Sequence, residues 1–178
     1  MNTPPVLILP GYGDSGPQHW QSLWQSAEPS FRRVQQRDWE HPVCAEWCAA
    51  LEQAVAHSGP ETLLVAHSLG CLLVAHWAAA STQRIRGALL VAVPDPAGPA
   101  FPQEASGFAP LPRQRLRFPS IVVASSDDPY GSPGHSAACA VAWGSRLVEI
   151  GAAGHINAGS GLADWPAGRE LLRDLAAA

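Results

Sequence analysis

The sequence contains no lysine: all eleven of its basic residues are arginine. Thirty of its 178 residues are alanine. We read both biases as genome composition rather than function. Charged residues make up only 15% of the chain and hydrophobic ones 47%, which excludes a disordered tail protein. The formal net charge is -4 with no basic stripe to offset it, which argues against a nucleic-acid partner. The four cysteines, Cys44, Cys48, Cys71 and Cys139, form no C-x-x-C pair. Cys44 and Cys48 stand one helical turn apart, yet no histidine completes a zinc set. All four read as small buried residues of a reducing compartment, and no metal or cofactor is expected. Met1 to Pro10 lacks a basic region, and its apolar run is only Val6 to Leu9. Neither a secretory signal nor a membrane span is expected, and the expected setting is the cytoplasm.

The chain is instead a set of short apolar runs alternating with helical segments. The length fits one domain, 1–178, with no repeat and no linker that would divide it. Strands are expected at Val6–Leu9, Phe31–Arg37, Thr62–Ala66, Ala88–Val93, Ile121–Ala124 and Leu147–Ile150. Most are continuous Val/Leu/Ile/Ala runs, as strands covered on both faces should be. Helices are expected over Val43–His57, Leu69–Ala80, Pro133–Trp143 and Asp164–Ala178. The last opens with Asp164 as N-cap and Pro166 in the first turn. This alternation implies an α/β fold with a parallel sheet and right-handed crossovers. Pro94–Pro119 differs: seven prolines in 26 residues make it a stiff, irregular flap.

Leu63-Leu64-Val65-Ala66-His67-Ser68-Leu69-Gly70 reads as a strand, a tight turn and a helix start, the layout of a nucleophile elbow. Small residues are needed two before and two after the serine, because strand and helix nearly touch there. Ala66 and Gly70 meet that need. The spacing alone is weak evidence, and an ordinary Ser N-cap would look similar. The order of the later polar residues strengthens it. Ser125-Ser126-Asp127-Asp128-Pro129 comes after the fifth strand, and Gly151-Ala152-Ala153-Gly154-His155 after the sixth. A serine, an acid and a histidine thus stand in chain order at the carboxyl ends of strands, as serine hydrolysis on such a sheet requires. The acid is Asp127 or Asp128. After the first strand, Leu9-Pro10-Gly11-Tyr12-Gly13-Asp14-Ser15-Gly16 offers a backbone N–H, that of Tyr12, to pair with the N–H of Leu69 as an oxyanion hole.

A rival reading uses the same loop. Gly11-x-Gly13-x-x-Gly16 matches a dinucleotide fingerprint, with Asp38 22 residues past Gly16. Asp14 inside the loop would repel a pyrophosphate, and the fingerprint leaves Ser68 and His155 unexplained.

Pro10 to Trp20, including the pair His19-Trp20, together with Ala66 to Gly70, Asp127-Asp128-Pro129 and Gly154-His155, resembles the small serine hydrolases of the retinoblastoma-binding-protein-nine and YdeN type. The resemblance spans nearly the whole chain. It implies a three-layer, doubly wound, minimal α/β-hydrolase core without a cap domain, with six parallel strands in the order 2-1-3-4-5-6. It also favours Asp128, directly before the proline, as the acid. The implied activity is hydrolysis of an ester or amide of a small molecule through Ser68, Asp128 and His155. A protein-binding relative with feeble catalysis is the alternative. The mammalian name suggests binding through L-x-C-x-E, but Leu69-Gly70-Cys71-Leu72-Leu73 has leucine where glutamate is required.

His19, Trp20, Phe101 and Phe108 are expected to line the substrate cleft. His67 is expected to pack beneath the elbow, and Asp95 is the substitute acid. Trp39, Trp47, Trp77, Trp143 and Trp165 read as packing between helices and sheet. Arg113, Arg115 and Arg117 alternate on one face and would attract an anionic substrate or simply be solvated. A flap of 26 residues is too short for a cap domain, so an open site without interfacial activation is expected.

Overall fold

The computed structural model describes residues 4–178. Six strands form one wholly parallel sheet: β1 (Val6–Leu9), β2 (Phe31–Arg33), β3 (Leu63–His67), β4 (Gly87–Val91), β5 (Ser120–Ala124) and β6 (Arg146–Glu149). Their order is β2-β1-β3-β4-β5-β6, the order expected. The four central strands are buried at every residue, which is why their runs are continuous rather than alternating.

Successive side chains feed opposite faces. Leu7, Leu9, Leu64, Ala66, Leu90 and Val122 join α2 (Cys44–Ser58), α3 (Leu69–Ala80) and α4 (Pro133–Trp143) in one apolar layer. Val6, Ile8, Val65, Leu89, Val91 and Val123 join α1 (Trp20–Ala27) and α5 (Pro166–Ala177) in the other. The five tryptophans read as packing residues lie in these layers, with Trp47, Trp77, Trp143 and Trp165 buried and Trp39 edge-to-face with Trp47. The four cysteines are free. No helix among the described residues is long and apolar enough to cross a membrane.

Several expected elements shift. β2 stops at Arg33, not Arg37: its partner β1 ends at Leu9, so beyond Arg33 only Val34, whose N–H donates to the Ile8 carbonyl, has a strand beside it. β4 ends at Val91, because Ala92 takes φ +57 and turns the chain out of the strand. Asp164 does not cap α5. The cap position is Trp165, at φ +43, with Pro166 in the first turn. Gly168 admits that indole, because a β-carbon there would lie 2.2 Å from its ring. Helix α1 is not among the helices expected from the sequence. Its N-cap is His19, whose Nδ1 accepts from the Gln21 N–H, rather than one of the usual Ser, Thr, Asp or Asn caps.

Candidate active site

The chain reverses sharply where β3 becomes α3, and Ser68 sits at that point with φ +54 and ψ -123. A left-handed conformation is costly for a residue with a β-carbon, and the surroundings enforce it. The Ser68 N–H donates to the Val91 carbonyl at 2.9 Å, tying the elbow to β4. Gly70 has no alternative: a β-carbon there would lie 2.3 Å from the Leu9 carbonyl oxygen. Gly11 is held almost as tightly, its would-be β-carbon 2.9 Å from Ser68 Cβ and 3.2 Å from the Leu69 nitrogen. The first loop therefore lies directly against the elbow. Among the described residues, the N–H groups of Tyr12 and Leu69 find no protein acceptor.

The Ser68 hydroxyl and His155 Nε2 are 2.8 Å apart. His155 Nδ1 lies 2.9 and 3.0 Å from the two carboxylate oxygens of Asp128. Nδ1–H therefore donates to the carboxylate, and Nε2 is left to accept from the serine. Asp128 also accepts from the Tyr130 N–H at 2.9 Å, and its side chain is nearly inaccessible. Asp127, the other aspartate, has a different task. It accepts from the Ser125 hydroxyl at 2.8 Å and from the Gly154 N–H at 2.7 Å, bonds that hold its carboxyl below the usual range and fasten the loop carrying His155. Asp95 lies elsewhere, capping Ala97 and facing His135.

The His155 loop is braced from below by two groups. His67, at the end of β3, is buried and donates through Nε2 to the His155 carbonyl at 2.8 Å. Trp20 donates its indole N–H to the Ile156 carbonyl at 2.8 Å. Trp20 is thus a buried brace and not the cleft-lining residue expected from the His19-Trp20 pair. Phe108 is also not in the cleft. It turns from the flap into the core against Trp47 and His76, because a buried ring gains more there than at an open wall.

The cleft above Ser68 has a volume of about 540 Å³. His19, Phe101 and Leu69 line it as part of the wall, and Tyr12 and Tyr130 form its exposed rim. Tyr130 escaped sequence reasoning; its ring lies 4.4 Å from that of His155. Among the described residues no arginine lines the cleft. Arg117 binds the carbonyls of Ala78 and Ser81, and Arg115 lies against Gly144, so neither reaches the cleft.

The glycine-rich loop does not assemble a dinucleotide cradle. The Gly13 N–H donates to Trp39 and the Asp14 N–H to Gly11, so these two main-chain donors are already used. Helix α1 begins only at Trp20, with His19 across its end, and Asp38 caps the turn at Glu40 and His41.

His19 carries a pH effect. Burial first, then the charges of Arg33 and His155, lower its pKa to about 4. The unfolded chain, at the ordinary histidine value of 6.5, therefore binds more protons than the folded one between those values. The stability this group contributes is full above its unfolded pKa and is lost as the pH falls through the folded one. The amount is about 3 kcal/mol. His67 acts in the same direction, its pKa lowered chiefly by burial. The urea midpoint is expected to fall across this window, and His19→Gln to flatten the fall. A midpoint independent of pH there would contradict this.

A parallel sheet in this order, with a serine on a strand-to-helix elbow and no cap domain among the described residues, defines an α/β-hydrolase fold. A family model described as "Serine hydrolase" matches residues 6–174, and the chain belongs to that family. It is similar to a protein described as a YdeN-like hydrolase from Pectobacterium atrosepticum, with 30% identity over 97% of this chain and 90% of the other, and a TM-score of 0.85. The ydeN gene product of B. subtilis shares the fold, at 21% identity, with 99% of this chain and 100% of that one covered and a TM-score of 0.80. So does a thermophilic esterase from Thermogutta terrifontis, at 19% identity over 98% and 91% of the two chains and a TM-score of 0.66. No curated protein matches the sequence significantly.

Proposed function

We propose that the chain hydrolyses a carboxylic ester, or the corresponding amide, of a small molecule through a covalent acyl-serine. The observation that supports this most is the unbroken hydrogen-bonded series from Ser68 through His155 to Asp128. In this reading Ser68 Oγ attacks the substrate carbonyl carbon while its proton passes to His155 Nε2. Asp128 keeps the other ring nitrogen protonated and stabilises the imidazolium. The oxyanion of the tetrahedral intermediate accepts from the N–H groups of Tyr12 and Leu69, at the positive end of α3. Collapse breaks the bond to the leaving group, which takes the proton from His155. Water then repeats the sequence on the acyl-enzyme and releases the acid. No metal or cofactor enters any step.

The flap supports a small-substrate preference. It contributes Ala100, Phe101 and Pro102 to the cleft. It is also pinned beyond Phe101, on the side that leads away from the cleft. The Ser106 N–H donates to Pro42 at 2.8 Å, the Cys44 N–H donates to Ser106 at 2.9 Å, and His76 Nε2 donates to Phe108 at 2.9 Å. A pinned flap does not open on a lipid surface. With p-nitrophenyl esters of rising chain length, kcat/KM is expected to peak at short acyl groups and to show no jump above the micelle concentration. Activation of a long-chain ester by micelles would contradict this.

A further inference from the structure

We propose that Arg33, at the end of edge strand β2, is a positioning residue that sets the oxyanion loop through Asp14. This deepens the hydrolase reading and rests on it. All three guanidinium nitrogens of Arg33 donate to that loop and the helix beyond it. Nη1 donates to Asp14 Oδ1 at 2.6 Å and to the Ser15 carbonyl at 3.0 Å. Nη2 donates to the Ser22 hydroxyl at 2.7 Å, and Nε to Gln25 Oε1 at 3.1 Å. The Arg33 side chain is only 11% exposed, so these bonds are shielded from competing water.

The conformation they hold is one the loop would not choose. Asp14 stands at φ +65 and Gly13 at φ +73. The same Asp14 oxygen that faces Arg33 accepts from the Ser15 N–H at 2.7 Å, which fixes the turn. Below it the Ser15 hydroxyl donates to Gln21, whose amide reaches the carbonyls of Leu9 and Val65. The loop is thereby tied to the end of β1 and the middle of β3. Tyr12 lies between this tie and Gly11, which touches Ser68. Between Asp14 and Tyr12 the Gly13 N–H is held by the Trp39 carbonyl and the Asp14 N–H by the Gly11 carbonyl, so a shift at Asp14 is passed to the Tyr12 N–H, and oxyanion donors act only within a narrow range of position.

Asp14 also lines the cleft, so a direct contact with substrate is the competing role. The two differ in their kinetic effect. A clamp on the oxyanion donor acts on the transition state of every ester alike and lowers kcat. A direct contact changes KM, and by an amount that depends on the leaving group.

The test compares wild type, Arg33→Ala, Arg33→Lys and Asp14→Asn on p-nitrophenyl and aliphatic short-chain esters, with Ser68→Ala as the reference. Arg33→Ala is expected to lower kcat about tenfold on every ester with KM changed less than about twofold. Millimolar guanidinium is expected to restore part of the Arg33→Ala rate and none of the Asp14→Asn rate. Arg33→Lys, which keeps the charge facing Asp14 and loses the fork, is expected to fall between wild type and Arg33→Ala. Wild-type kcat in Arg33→Ala, or a loss confined to KM or to one ester, overturns the clamp while leaving the hydrolase reading intact. A loss that guanidinium does not relieve overturns it as well. If Ser68→Ala hydrolyses esters as fast as wild type, the hydrolase reading itself fails and the clamp with it.

Discussion

Replacing Ser68 with alanine is expected to lower kcat for short-chain esters by about 10⁴-fold or more, with the fold intact. The Ser68 hydroxyl bonds to His155, and the left-handed backbone at the elbow is held by the Val91 carbonyl and by the absence of a β-carbon at Gly70. Alanine keeps the same β-carbon and loses only the oxygen. Thermal unfolding should therefore move little while chemistry stops. The rate that remains would be that of the oxyanion donors acting on water attack alone. A variant that keeps more than a few per cent of the wild-type rate would show that another group is the nucleophile.

Asp128→Asn is expected to cost nearly as much, about 10⁴-fold in kcat. The side chain is nearly isosteric, and its oxygen can still accept from the Tyr130 N–H. The contact with His155 changes sign. An amide hydrogen facing Nδ1 favours the tautomer with the proton on Nε2, and Nε2 then has no lone pair for Ser68. Asp127→Asn is the matched comparison. Its bonds to the Ser125 hydroxyl and the Gly154 N–H need only an acceptor oxygen, which asparagine keeps. About tenfold or less should be lost there, chiefly by loosening the His155 loop. The reverse ranking of the two variants would transfer the acid role to Asp127.

The contrast between these two aspartates marks where local sequence stops being informative. Ser68 and His155 are readable because each comes after a short apolar run at the end of a strand, and strand runs are the strongest local signal in this chain. Neighbouring aspartates at 127 and 128 have the same local signal. Only the turn that sends one carboxylate to His155 and the other to Gly154 separates them. Helix α1 hides behind an unusual cap, and with it goes the meaning of His19 and Trp20. Consecutive residues at a helix start point about 100° apart. One therefore faces the cleft while the other turns into the core. Phe101 and Phe108 are indistinguishable in a proline-rich stretch without periodicity. Arg33 and Gln21 carry no local motif: their partners, Asp14 and the carbonyls of Leu9 in β1 and Val65 in β3, are brought to them only by the fold.

The most direct measurement is intact-protein and peptide mass spectrometry after reaction with a fluorophosphonate. One adduct per chain is expected, on Ser68, in the tryptic peptide that runs from Asp38 to Arg84. The adduct should be absent from Ser68→Ala and strongly slowed in Asp128→Asn. Ester hydrolysis by a wild-type chain that takes up no adduct, or takes it up at a different residue, would contradict an acyl-serine mechanism at the β3–α3 elbow.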